Sequence, residues 1–474
     1  MEAKRKLDVF LSPESIAVVG ASERPGSWGS FIMEGLRRGG YSRPIYPVNP
    51  RAASLYGLKT WAQMQDIPRP VDLAVLAVPE QLAEQIIRAC GEKKVRGIIM
   101  ITAGFGEAQA DGRAREEAMG ALARSYGMRI LGPNVSGVFN LDAHFNASPA
   151  GEVFGSRLAA VCQGGYAFYD LLDSGRPRRM GVGRFVHSGN ECDLSVTDFL
   201  ELYGSDPDIE GIVLYLETIR DGGRFRDAAR RAARSKPIVV YKAGRTRGGI
   251  RAAGSHTGAL AGRRDLYEGL FAQLNIISSP TMELLLPVAH AAVERPPMGG
   301  RRVAIITMGG SWGVILSDSL EEKGLTVPQL GGALQQRLRD LGMPVRASTR
   351  NPVDIGAAGV GSIGPEKLTE MGRLILASGE VDALVLHGLG QPGKPDEAAP
   401  QQWQFFLDLE KQMMKGIGAL EQEIGRPVMI GCHFSPWESR TVHELNREGL
   451  RIYDAIEDIA HILALMYRYH KNRS

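Results

Sequence analysis

Nine histidines occur in the chain, and no pair of them has the spacing of zinc ligands. His256 differs from the rest in its setting. The stretch 245–262 reads Arg-Thr-Arg-Gly-Gly-Ile-Arg-Ala-Ala-Gly-Ser-His-Thr-Gly-Ala-Leu-Ala-Gly, too rich in glycine and hydroxyl residues for a packing helix, with Arg245, Arg247 and Arg251 upstream of the imidazole. An imidazole among small residues can approach a large anionic reactant, and arginines can hold that anion, so this is a nucleophile's setting. Such a histidine needs one ring nitrogen free and the other hydrogen-bonded, usually to a carboxylate that fixes the tautomer and supports the charged intermediate. Glu217 is the best placed candidate. It closes the apolar run Ile-Val-Leu-Tyr-Leu-Glu at 212–217, whose strand would deliver it to the carboxyl edge of a sheet, where α/β sites collect. Taken without His256, Glu217 reads as a surface carboxylate or a helix N-cap partner.

Three glycine-rich turns have the pattern of anion sites. Gly164-Gly165 and Gly309-Gly310 each follow an apolar run and precede a helical pattern, so their N–H groups can point at a phosphate. Each alone reads as a tight turn. Their repetition suggests a phosphate held between two helix ends, with His256 as its covalent acceptor. The third turn, Gly20-Ala-Ser22-Glu-Arg-Pro25-Gly-Ser-Trp-Gly29, lies between the first strand and the first helix and suits a nucleotide-shaped ligand, although such loops also serve merely to pack a helix close to a sheet. A NAD site would place an acidic residue after the second strand. Here the chain reads Tyr46-Pro-Val48-Asn49-Pro-Arg51, which disfavours NAD and prefers a ligand bearing an extra ribose phosphate.

The elements that must position these residues follow from short apolar runs alternating with amphipathic stretches, the pattern of parallel strands buried on both faces and joined by helices. In the first third the strands are predicted at 16–19, 45–48, 73–78, 98–101 and 129–131, with helices at 30–38, 81–90 and 111–126. A second unit carries strands at 158–161, 184–186, 212–216 and 238–241 and a helix near 282–293; Glu-Arg-Pro-Pro-Met-Gly-Gly at 294–300 then reads as a linker. A third unit has strands at 303–307, 383–386 and 428–430 and helices at 313–323, 332–341, 397–415 and 456–469. Units two and three open alike, strand then Gly-Gly then helix, a weak internal repeat. The length of 474 residues also suggests about three domains at roughly 150 residues each. The expected division is 1–145, 150–295 and 300–474.

Composition narrows the function classes. Lys plus Arg (56) nearly balances Asp plus Glu (53), and a net charge of +3 is too small for a dedicated nucleic-acid binder. The 58 glycines exceed the ordinary frequency of about 7% and fit many tight turns. Four cysteines, Cys90, Cys162, Cys192 and Cys432, are too far apart for a CxxC pair and too few for a disulfide scaffold, which fits a reducing cytoplasm. No signal peptide and no run of about eighteen apolar residues is present, so the reading is a soluble cytoplasmic protein with no membrane partner.

The same residues resemble a known family, the ADP-forming (NDP-forming) acyl-CoA synthetases, relatives of the succinyl-CoA synthetase alpha subunit. Ser-Ile-Ala-Val-Val-Gly-Ala-Ser at 15–22, Pro-Val-Asn-Pro at 47–50, Val78-Pro79, Ala103-Gly104-Phe105 and Gly132-Pro133-Asn134 are similar to successive motifs of its CoA-binding domain. The segment 255–262 is similar to the one holding its phosphorylated histidine, and 214–217 to the one holding that histidine's carboxylate partner. Asn-Pro-Val-Asp at 351–354 matches a motif of its C-terminal ligase domain. The resemblance covers nearly the whole chain in order. It implies an α/β fold, a Rossmann-like CoA-binding domain followed by two flavodoxin-like domains, and a CoA site at Gly20, Ser22, Pro25, Val48, Asn49, Arg51, Val78, Pro79, Ala103 and Asn134. It also implies His256 and Glu217 as the catalytic pair, with phosphate bound by Gly164, Gly165, Gly309 and Gly310.

In that family ADP and Mg²⁺ belong to an ATP-grasp module, for which three α/β units leave no room. The resemblance therefore implies an alpha-type subunit of a hetero-oligomer, completed by an ATP-grasp beta chain that brings ATP/ADP and Mg²⁺, acting on a small carboxylic acid or its acyl-CoA. Three departures fall near the expected site. Cys162-Gln-Gly-Gly165 stands where the family usually has Ser-Gln-Ser-Gly, His187-Ser-Gly-Asn190 where it has Ser-Leu-Gly-Asn, and Val135 where cysteine is common. They keep open a second reading, a catalytically silent CoA-binding regulatory subunit. A NAD(P)-dependent oxidoreductase is a third, resting on the first glycine loop alone.

Overall fold

The computed structural model describes residues 7–107, 111–251, 264–344, 347–356, 359–393 and 401–473. Cα packing divides the chain into two units, Met1–Asp173 with Gly181–Ala289 and Ser174–Met180 with His290–Ser474. The expected α/β architecture is present, built on three mainly parallel sheets.

The first sheet has the order β2 (Ile45–Val48), β1 (Ile16–Val19), β5 (Leu73–Leu76), β6 (Gly97–Met100) and β7 (Arg129–Leu131), all parallel. Strands β3 (Ser54–Leu55) and β4 (Leu58–Lys59) form a small separate hairpin. Three of these five strands, β1, β5 and β6, are buried at every position, as a layer covered by helices on both sides requires. After β1 the chain moves first to one side and then to the other, so the topological switch point lies between β1 and β5, at their carboxyl ends.

The second sheet, in the same unit, runs β14 (Ile277–Ser278), β13 (Ile238–Lys242), β12 (Gly211–Leu216), β10 (Leu158–Cys162), β11 (Arg184–His187), β8 (Val138–Asn140) and β9 (Phe145–Ala147). Its switch point falls between β10 and β12. The two antiparallel strands β8 and β9 escape a reading of periodicity, because three residues are too few to display an alternation. They fasten the two sheets together. Helix α1 (Trp28–Arg38) of the first sheet packs so closely on the end of β9 that a Cβ at Gly35 would lie 2.4 Å from the Ser148 carbonyl oxygen. Asp193 adds a polar joint, with its buried carboxylate 2.8 Å from both Arg124 and Arg129 and accepting the Ile130 N–H.

The other unit holds the third sheet, β16 (Val353–Asp354), β15 (Val303–Thr307), β17 (Ala383–His387), β18 (Val428–Gly431) and β19 (Ile452–Tyr453), again parallel and with its switch point beside β15. The helix expected at 397–415 is observed over Gln401–Ile424, and a helix at Gly359–Ala377, kinked at Gly364 before Pro365, has no counterpart in the sequence reading. The segment read as a linker is docked at its start. The preceding helix runs to Glu294, and the Arg295 guanidinium is buried against Glu421 at 2.5 Å and the Val428 carbonyl at 2.6 Å.

Candidate functional site

Each glycine-rich turn singled out above follows the central strand of a sheet, and each therefore sits at that sheet's switch point. In the first sheet the turn lines a cavity of about 470 Å³ together with the residues that follow β5 and β6. Gly20, Ser22, Val78, Pro79 and Ala103 are on its wall, with Arg24, Gly26 and Trp28. Gly20 is glycine for a packing reason: its φ is +89°, and a Cβ there would lie 2.2 Å from the Ala77 carbonyl oxygen. The Ser22 hydroxyl accepts the Arg24 N–H at 3.0 Å and holds the turn in shape. Pro25 lies exposed in the same turn.

Three of the other expected CoA residues do not line this cavity. Val48 is a core residue paired with Val19. Asn49 donates from Nδ2 to the Ala21 carbonyl at 2.9 Å and accepts the Arg51 N–H at 2.8 Å, so it braces the turn; Arg51 does not line the cavity.

A second cavity, of about 830 Å³, opens in the same unit at the switch point of the second sheet. Gly164, Gly165 and Glu217 line it, along with Ala103 and Asn134 from the first sheet's loops. The two cavities share Trp28, Ile101 and Ala103, so a ligand seated on the first glycine turn can extend along these residues to the Gly-Gly turn. Among the described residues no hydrogen bond uses the N–H of Gly164 or Gly165.

Glu217 follows directly on β12 and is 8% exposed. A Cβ on Gly164 would lie 3.0 Å from its Oε1 and 2.8 Å from the Tyr215 ring. This accounts for one departure from the family pattern, since the space a serine side chain would take at 164 is occupied by Tyr215 and the carboxylate. His256 lies outside the described residues, as does the whole of 252–263. Gly309 and Gly310 belong to the other unit, where Gly309 caps helix α2 (Gly310–Glu322).

The sequence reading did not select Gln163, His187, Asn190, Glu191 or Lys242. The buried His187 ring accepts the Ser136 N–H at Nδ1 (2.6 Å) and faces the Gln163 carbonyl with Nε2 (3.0 Å), so the first nitrogen is the acceptor and the second carries the proton. It ties the loop after β7 to the Gly-Gly turn. Asn190 donates to Glu107 (2.5 Å) and Glu116 (2.6 Å), carrying the tie to the first sheet's loops. Gln163 was visible only as a neighbour of the glycines. Its partners lie 28 and 54 residues away, beyond any local pattern.

Among the described residues no group of His, Cys, Asp and Glu has the arrangement of a metal site, and no helix is long and apolar enough to cross a membrane. Burial pushes Cys162 well above the ordinary thiol range, which makes it a poor nucleophile although it adjoins the turn.

A CoA binding domain profile matches residues 14–140, and the profile of a succinyl-CoA ligase like flavodoxin domain matches residues 155–292. The chain is 35% identical over 471 residues to the ADP-forming acetate–CoA ligase II subunit alpha of Pyrococcus furiosus, covering 98% of each chain. It is 33% identical over 356 residues to the ADP-forming acetate–CoA ligase of Methanocaldococcus jannaschii and spans 49% of that longer chain. A solved structure of the dinucleotide forming acetyl-coenzyme A synthetase 1 of Ca. Korarchaeum cryptofilum, in complex with phosphate and ADP, matches with a TM-score of 0.84 at 32% identity, over 98% of this chain and 97% of that one.

Proposed function

This chain belongs to the alpha subunits of the ADP-forming acid–CoA ligases, and from that premise we propose how its own residues divide the work. Residues 1–145 hold CoA, with its nucleotide end on the Gly20–Ser22 turn and its thiol directed along Trp28, Ile101 and Ala103. Residues 150–295 carry the phosphoryl acceptor His256 with its partner Glu217. Residues 300–474 present the second glycine turn. The observation that carries this reading is the pair of cavities with a shared wall, because it gives one extended ligand access both to the first sheet's switch point and to Glu217.

In the ATP-forming direction, inorganic phosphate attacks the thioester carbonyl, releasing the CoA thiol and leaving an acyl phosphate. An imidazole nitrogen of His256 then attacks phosphorus, and the carboxylic acid leaves as its carboxylate. The phosphoryl group passes on to ADP, restoring the imidazole. The N–H groups of Gly164 and Gly165 are set to bind phosphate oxygens at the head of a helix, where the backbone dipoles favour negative charge. Glu217 holds the imidazole orientation and offsets the positive charge that develops on it.

ADP and Mg²⁺ are brought by an ATP-grasp beta chain, and the working enzyme is a hetero-oligomer. Support comes from the Pyrococcus relative, which is named as a subunit alpha, and from the longer Methanocaldococcus relative, of which this chain spans about half. Cys162 and Gly164 stand where the family usually has serine hydroxyls, and the cavity beside them stays open, which favours an active subunit over a silent one.

The test is purification from the native source with its partner, followed by incubation with γ-labelled ATP. An acid-labile, base-stable label that is lost in His256→Asn and strongly reduced in Glu217→Gln is the expected result. A complex that binds CoA and takes up no label overturns the phosphohistidine assignment.

A further inference from the structure

The ladder of β12 ends at Leu216, one residue before Glu217. A peptide just past a strand end has lost its sheet partners, and its buried N–H and C=O groups must be satisfied in some other way. At Glu217 two side chains from the flanking strands do this. The Gln163 amide, just beyond β10, accepts the N–H groups of Glu217 (2.7 Å) and Thr218 (3.0 Å) on Oε1 and donates from Nε2 to the Thr218 carbonyl (2.9 Å). It extends the ladder by side chain. On the other flank, Lys242 at the end of β13 donates from Nζ to the Glu217 carbonyl at 2.8 Å. Both ends of residue 217 are thereby held.

The orientation of the Gln163 amide is itself determined. Its remaining N–H points at Glu191 Oε1, 2.9 Å away, and a carboxylate can only accept. Glu191 is buried, and the same oxygen also accepts the Ser188 hydroxyl at 2.8 Å and the Val196 N–H at 2.9 Å, so it has no freedom to turn. With Nε2 committed to Glu191, Oε1 must face the peptide at 217.

Lys242 is costly in the place it occupies. Its ammonium is buried, 4.5 Å from the Tyr267 ring centre, with a second carbonyl, that of Ala243, at 2.5 Å. Burial pulls it down to about 8. An apolar side chain would fill the same volume at less cost to the fold.

We propose that Gln163 and Lys242, with Glu191 behind Gln163, are positioning residues that fix the peptide of Glu217 and so set its carboxylate against the Gly164 turn. The inference rests on reading Glu217 as the partner of His256. It goes further in assigning that partner's placement to three side chains from outside its own strand.

Gln163→Glu keeps the acceptor for the two N–H groups but sets a carboxylate oxygen against both Glu191 and the Thr218 carbonyl. Adding Glu191→Gln reverses the donor, and one N–H···O bond again joins positions 163 and 191. In the complex purified with its partner, Gln163→Glu is expected to lower kcat at least about tenfold with an unchanged KM for CoA, since misplacing a reacting group is felt in turnover. The double variant recovers the part of the loss that comes from Glu191, while the Thr218 carbonyl stays without its donor. Lys242→Met lowers kcat by a similar factor, again without moving the KM for CoA.

The proposal is overturned if Gln163→Glu and Lys242→Met turn over at the wild-type rate, or if the double variant melts like wild type yet stays as slow as the single one. Should Gln163→Glu fail to fold, Lys242→Met decides: a folded protein slowed about tenfold supports the clamp, and one at the wild-type rate overturns it. Absence of phosphate label in the wild-type complex defeats the underlying reading. Label present, and transferred at the same rate in all three variants, defeats the clamp alone.

Discussion

The two Gly-Gly turns begin from nearly the same sequence pattern and end with different hydrogen bonding. In both, the strand before the glycines pairs in parallel register with a strand that ends in histidine: Cys162 lies opposite His187, and Thr307 opposite His387. In both, a Cβ on one glycine would press on a carboxylate, Glu217 Oε1 at 3.0 Å from Gly164 and Asp354 Oδ2 at 3.1 Å from Gly310. The likeness stops there. At the second turn the Thr307 hydroxyl accepts the Gly309 N–H at 3.2 Å, so that donor is already spent within the turn. At the first turn, Cys162 stands where Thr307 stands in the second, and the glycine donors are open to the cavity. His187 uses both ring nitrogens, whereas His387 Nδ1 has no hydrogen-bond partner among the described residues and the ring packs edge-on to Trp312. A repeated backbone motif thus leaves both glycine N–H groups without a bond in one place and closes one of them on a side chain in the other, and the flanking side chains decide which.

The sharpest way to break this contrast is at the first glycine. Gly164→Ala drives a methyl into the Tyr215 ring and the Glu217 carboxylate, and turnover of the complex should fall roughly a hundredfold, as steady-state ATP formation would report. CoA affinity, measured by calorimetry, should stay near wild type.

The histidine contrast predicts a pH effect on the unit that holds His387. Burial and the nearby His433 lower this imidazole to about 4. The unfolded chain then binds more protons than the folded one between pH 6.5 and 4, so stability falls as pH drops through that window, by about 3 kcal/mol in all. Urea midpoints at pH 7 and pH 4.5 check it, and in His387→Met the difference between them should shrink.

Gly310→Ala asks less of its surroundings, because the Asp354 carboxylate need yield only a few tenths of an ångström. A loss of about threefold in kcat is expected. If Gly310→Ala proves as damaging as Gly164→Ala, the assignment of different roles to the turns is wrong. The smallest effect belongs to Thr307→Val, which removes the hydroxyl that closes the second turn and should cost about 1 kcal/mol in denaturant unfolding.

Much of this was legible in the sequence, for a physical reason. Buried parallel strands must be apolar throughout, so runs such as 16–19 and 303–307 stand out, and glycine is required where a strand turns sharply into a helix. Periodicity therefore exposed the central strands and all three turns, and with them Gly20, Gly164 and Gly309. It missed β8 and β9 because an edge pairing of three residues depends on the neighbouring strand and not on its own pattern. Glu217 was found because it ends an apolar run. Asn49 holds the turn through the Ala21 carbonyl, a task that nothing in Pro-Val-Asn-Pro announces.

By itself, then, the amino-acid order marked the long apolar strands and the places where the chain must turn on glycine, and it singled out one imidazole and one carboxylate as candidates for the chemistry. Only the tertiary structure decided which of these meet. Gln163 reaches Glu217 because β12 lies beside β10, although β11 and the helices on either side of it intervene in the chain. Lys242 reaches it from the other flank because β13 lies beside β12. Strand order is set by how whole helices cross and pack over a sheet, a property of the assembled layers that no local run of residues contains.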